Sequence, residues 1–64
     1  MTRPKYSTGW RVEARHFDGK EEKTIRGIIT GLRWSAVAEG FRYWVQNNAD
    51  EKYLDESEIV KRLN

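Results

Sequence analysis

Three features of the sequence predict an all-β fold. Residues 10–17 and 41–47 alternate apolar and polar side chains with the period of two that a half-buried strand requires. Residues 24–35 are rich in β-branched side chains and carry glycines at 27 and 31. Turn-forming residues separate these runs. Together they predict a small barrel of about five short antiparallel strands, with a 3-10 turn before the last one.

The elements follow in order. Residues 1–8 are polar, hold the only proline, Pro4, and show no periodicity, so they read as a flexible tail ahead of a single domain over 9–64. Trp10, Val12 and Ala14 then share one face of a first strand, with Arg11, Glu13 and Arg15 on the other. Asp18-Gly19 supplies a turn, and Lys20 to Lys23 reads as an exposed charged loop. Thr24 to Ser35 is the second strand. Its glycines mark a bulge, a sharp bend, or the close approach of another backbone, any of which helps a few strands to close. Ala36 to Gly40 is a short helical turn or a loop. In the third strand Phe41, Tyr43 and Val45 face one way, and Arg42, Trp44 and Gln46 the other.

Asn47-Asn48-Ala49-Asp50 is turn chemistry, and Lys52 to Leu54 a short strand. Asp55 is placed to cap a single 3-10 turn, with Glu58 three residues on completing an Asp variant of the capping box. Val60 to Leu63 forms the last strand. Closing such a sheet into a barrel removes its exposed edges.

Composition bounds the function. A chain of 64 residues forms one domain, and it contains no cysteine for disulfides or thiolate metal sites. Three Trp, three Tyr and two Phe supply most of the large apolar surface. No run approaches the roughly 20 apolar residues that span a bilayer, and the opening MTRPKYSTG lacks a signal-peptide core. The expectation is a soluble cytoplasmic protein with no membrane partner. Net charge is +2, from a first half at +4 and a second half at −2.

The segments Gly9-x-x-Val12, Gly27-Ile28-Ile29, Tyr43-x-Val45 and Tyr53-Leu54-Asp55-Glu56-Ser57-Glu58-Ile59 resemble the small SH3-like and Tudor-like barrels. In those families a glycine and a buried valine open the first strand, and an acidic 3-10 turn joins the last two. The likeness covers roughly residues 9–63 and implies an SH3-like barrel that hosts many different functions. Gly27-x-Ile29-x-Gly31, Glu39-Gly40-Phe41 and the ending Ile59-Val60-Lys61-Arg62-Leu63-Asn64 are also similar to the plasmid-encoded type II dihydrofolate reductases. Four chains of that family assemble around one pore. Its Val-Gln-Ile-Tyr pore signature is replaced here by Glu51-Lys52-Tyr53-Leu54, so no catalytic residue carries across.

Candidate chemistry is sparse. His16, the single histidine of a chain without cysteine, cannot build a metal site alone; Asp and Glu could supplement it, but neither a paired ligand spacing nor a Ser/His/Asp spacing surrounds it. The acids Asp50, Glu51, Asp55, Glu56 and Glu58 lack the spacing of a calcium loop and read as a solvated, capped turn. No cofactor is implied. The aromatics carry more information. Trp44 faces out if Tyr43 faces in, and Trp34 lies where the second strand ends.

With Arg11, Arg15, Arg33 and Arg42, Trp34 and Trp44 form a candidate binding set, because Trp and Arg dominate recognition surfaces. The expectation is a non-catalytic module for a protein or peptide partner. The alternatives are a DNA- or RNA-binding barrel using those arginines with Arg26, and an oligomeric reductase with a shared pore.

Overall fold

The computed structural model describes residues 3–48 and 50–64, apart from the side chain of Asp18. It is all-β. Five strands form one antiparallel sheet: β1 (Arg11–Asp18), β2 (Glu21–Ser35), β3 (Gly40–Asn47), β4 (Asp50–Asp55) and β5 (Ile59–Arg62), with a 3-10 turn at Glu56–Glu58. The order across the sheet is β4-β3-β2-β1-β5. Four strands thus meander, and the 3-10 turn carries the chain across to the free side of β1.

The sheet rolls but does not close. Among the described residues β4 and β5 do not pair with each other, so each keeps an unbonded edge. The expected closure is therefore corrected: the 3-10 turn links the two edges through the chain and not through a ladder. No helix of the described residues is long and apolar enough to cross a membrane.

The β1–β2 hairpin is tighter than the sequence suggests. Lys20 to Lys23 is not a loop. Only Gly19 and Lys20 form the turn, with Gly19 at φ 69°, and pairing resumes at Asp18↔Glu21. Charged side chains on a two-stranded extension look like a loop in sequence. The ladder forms because both edges there point to water and cross-strand partners such as Arg15 and Glu22 attract (3.5 Å).

Strand β2 is long enough to serve both halves of the sheet, and its two glycines do different jobs. A Cβ on Gly27 would overlap the Gln46 carbonyl oxygen and lie 2.9 Å from Val45 Cγ1, so only glycine lets β3 approach. At Gly31 the register shifts from Ile29↔Val45 to Gly31↔Trp44, leaving Thr30 as the extra residue of a bulge. Before the bulge Ile25, Gly27 and Ile29 face the core. After it Leu32 does, and Trp34 emerges on that same side of the sheet beyond the core, because one inserted residue inverts the alternation.

The core lies inside the roll. Val12, Ala14, Ile25, Ile29, Tyr43, Val45, Leu54 and Ile59 are buried, and Tyr6, Trp10, Leu32 and Phe41 pack around them. The period-two reading of β1 and β3 is seen directly in this set. Part of the segment expected as a tail belongs to the same core. The Tyr6 ring meets Tyr43 edge-on at 5.7 Å and Trp10 at 6.4 Å, and its hydroxyl donates to the Ile59 carbonyl at 3.4 Å. Met1 and Thr2 lie outside the described residues, as does Ala49 of the β3–β4 turn, where Asn48 takes φ 48°.

Candidate functional site

The buried polar centre of the fold is Tyr43. Its hydroxyl donates to Glu56 Oε2 at 2.6 Å and accepts from the Tyr6 N–H at 3.4 Å, while the Lys5 N–H reaches the same carboxylate oxygen at 3.3 Å. Burial, reinforced by the Glu56 carboxylate, pushes the Tyr43 hydroxyl far above its ordinary value of 10. It therefore stays protonated and acts as a donor that ties β3 to the 3-10 turn. Asp55 and Glu58 form the capping box of that turn, the Asp55 N–H donating to Glu58 Oε1 at 2.9 Å. The second oxygen of Glu58 lies 3.3 Å from His16 Nδ1, which places His16 as a strut between β1 and the turn. Asp55 and Glu58 serve the turn, and Glu56 serves Tyr43. Among the described residues no group of three or more His, Cys, Asp or Glu side chains is placed to hold a metal ion.

The face turned away from the core has a different character. Alternation on β3 sends Arg42, Trp44 and Gln46 outward, and β4 brings Asp55, Tyr53 and Glu51 opposite them. The rings of Trp44 and Tyr53 lie 4.5 Å apart, tilted by 34°. The Arg42 guanidinium sits 4.4 Å above the Tyr53 ring, and its Nε is 2.9 Å from Asp55 Oδ1. Gly31 borders Trp44 from β2, with no side chain to cover the indole. Arg33, opposite Arg42, completes the cluster from the far side of the bulge. Thr30, the bulged residue, donates to Glu51 Oε2 at 2.8 Å and so braces β2 against β4 across β3.

Of the residues singled out in the sequence, Arg33, Arg42 and Trp44 come together on this outer face. Arg11 shares the face but lies further along, in a row with Ile28 and Gln46. Arg15 sits toward the tip of the first hairpin and is 3.5 Å from Glu22. Trp34 does not join them. The bulge turns it to the other face, where it meets Phe41 edge-on at 5.3 Å and stays 47% exposed. Trp10 is drawn to the core, and the Arg62 guanidinium covers its ring at 3.8 Å.

Tyr53 and Asp55 also belong to the cluster, although the sequence marks Asp55 only as a cap and Tyr53 only as part of a barrel motif. Their signal was Leu54: once it faces the core, both neighbours must face out, and the β3–β4 register then sets them against Trp44 and Arg42.

Two of the clefts among the described residues bear on this geometry. One, of about 220 Å³, opens at the end of the roll among His16, Lys23, Asn47, Asp50 and Lys52. The other, of about 370 Å³, lies on the outer face among Arg11, Arg26, Ile28, Gln46 and Asn48. Comparison of the chain with protein-family models, with curated proteins and with solved structures finds no match.

Proposed function

We propose that the chain is a non-catalytic binding module of the SH3-like small-barrel class, which holds a protein or peptide segment against the outer face of β2, β3 and β4. One observation carries this reading: Trp44 and Tyr53 form a ring pair with Arg42 over it, on a face the core does not use. Tyr53 is 36% exposed, and neither ring is needed to fill the interior. A rigid aromatic surface with a planar cation is the composition of a recognition hot spot. The brace of Thr30 on Glu51 and the Arg42–Asp55 pair hold that surface in place before any partner arrives, which lowers the entropy cost of binding.

A nucleic-acid surface is less well supported. It needs cations free to meet a run of phosphates. Arg15, Arg26 and Arg42 are instead engaged by Glu22, Glu13 and Asp55, at 3.5, 3.0 and 2.9 Å. The carboxylates set among them weaken the positive field.

Selection of a displayed random-peptide library on the folded protein tests the proposal. Peptides recovered on the native chain should bind a Tyr53→Ala variant about tenfold more weakly, the loss of one hot-spot aromatic. Amide spectra of the variant confirm that it folds. Recovery of no peptide, or of peptides indifferent to Tyr53→Ala and Trp44→Phe alike, overturns the reading.

A further inference from the structure

The outer face continues past the aromatic pair. Arg11 pairs with Ile28, and Ile28 with Gln46, so these three form a row across β1, β2 and β3. The larger cleft opens at this row. Its side chains end in guanidinium groups (Arg11, Arg26) or neutral amides (Gln46, Asn47, Asn48), over Ile28, which is 45% exposed. Among the described residues no carboxylate side chain lines it, and Glu51, opposite Gln46, stands at the far end of the same row. Glu13 approaches from β1 but is 3.0 Å from Arg26 Nε, which leaves Arg11 as the cation of the cleft without an ion pair among the described residues.

At the other end of the face Arg33 is exposed, also without an ion pair among the described residues. Ile28 and Arg33 lie opposite Gln46 and Arg42, four residue steps apart on the unbulged β3, about 13 Å at 3.3 Å per residue. Trp44 and Tyr53 lie between. The two carboxylates nearest the rings, Glu51 and Asp55, already take Thr30 and Arg42. The face therefore presents two separated positive points with an aromatic platform in the middle, and acids beside that platform.

We propose that this face takes an extended acidic peptide: one carboxylate enters the Arg11 cleft, a second meets Arg33, and an apolar side chain between them lies on Trp44 and Tyr53. The inference rests on the binding-module reading and adds the chemical class of the partner. A phosphate at every nucleotide would bring negative charge against Glu51 and Asp55. Two acids spaced along a peptide match Arg11 and Arg33 and avoid those carboxylates. The amides of Gln46 and Asn48 supply donors for the carboxylate or for the peptide backbone beside it.

The test is a titration followed by amide chemical shifts, with blocked peptides that hold one leucine between two aspartates. The aspartates are set roughly two, four or eight residues apart. A leucine peptide without aspartates and an oligothymidylate serve as comparison probes. The peptide with the middle spacing should bind tightest, shift amides at both Arg11 and Arg33, and weaken as salt rises.

Arg11→Gln and Arg33→Gln should each weaken it by up to about fivefold, the range of a solvent-exposed ion pair, and leave the leucine peptide unchanged. A leucine peptide that binds as tightly as the acidic ones overturns the acidic class and leaves the binding module standing. Absence of shifts at Trp44 and Tyr53 with every peptide overturns both. Oligothymidylate binding more tightly than the peptides, and weakened by the same two substitutions, replaces the peptide with nucleic acid.

Discussion

Adding one methyl group to β2 should have opposite effects at its two glycines. At Gly27 a Cβ would overlap the Gln46 carbonyl oxygen and crowd its carbon and Val45 Cγ1, both at 2.9 Å. The obstacle is mostly backbone, held by the β2–β3 ladder, so it cannot swing aside. Overpacking of this kind costs about 1–3 kcal/mol, and a rigid neighbour argues for the upper end. At Gly31 the nearest atom would be Trp44 Cε3 at 3.5 Å, an ordinary contact. The φ angle there is not positive. Replacing glycine by alanine then removes unfolded-state freedom and stabilises by about 0.4–1 kcal/mol.

The gap between the two variants is roughly 3–4 kcal/mol at the upper end. A domain of this size holds only about 3–10 kcal/mol in all. At about 4–8 °C per kcal/mol, Gly27→Ala should melt at least 12 °C below Gly31→Ala. Thermal melts followed by circular dichroism and tryptophan fluorescence measure this. Melting points within about 4 °C of each other would refute the close approach of β2 and β3 on which the outer face depends.

Three further outcomes follow from the same geometry. Tyr43→Phe removes the donor to Glu56 and leaves the Tyr6 N–H without its acceptor, so urea unfolding should show a loss of about 1–3 kcal/mol. Because the folded-state value of Tyr43 is raised, its contribution is complete below pH 10 and is lost as pH rises through the folded value; the alkaline decline in stability should be shallower in Tyr43→Phe. A double-mutant cycle on Trp44→Ala and Tyr53→Ala should give a coupling of about 0.5–1.5 kcal/mol in denaturant titrations, and a coupling near zero would mean that the rings do not support each other. Glu58→Ala removes the acceptor of the Asp55 N–H and the partner of His16, and should cost about 1 kcal/mol by the same titration, with amide shifts confined to the 3-10 turn and the end of β1.

The strands that were legible in the sequence are those with one wet and one dry face. In β1 and β3 every second side chain is apolar, and the burial of Val12, Ala14, Tyr43 and Val45 follows from that pattern alone. Residues 21–23 were not legible, because their pairing depends on β1 and not on their own composition. The glycines at 27 and 31 announced a distortion without saying at which of them the alternation inverts. That choice decides the side on which Arg33 and Trp34 emerge, which is why Trp34 was grouped with a face it does not join. Tyr6 was hidden for another reason: a single aromatic in a polar stretch has no period, and only the folded core reveals the site it fills. The arginine–aromatic cluster was half visible. Trp44, Arg42 and Arg33 could be named from alternation, whereas Tyr53 and Asp55 needed the register of β4.

The unpaired seam between β4 and β5 shapes how copies of this molecule meet one another. Strand β4 exposes its edge with Asp50, Glu51 and Asp55 against a single Lys52, while β5 carries Lys61 and Arg62. Two molecules approaching through matching edges bring like charges together, acid against acid or base against base. Short strands flanked by ionised side chains make poor templates for a growing stack. Repulsion thus guards the gap against pairing of matching edges, whereas the acidic β4 edge of one copy and the basic β5 edge of another attract, and that approach is limited by the shortness of the strands.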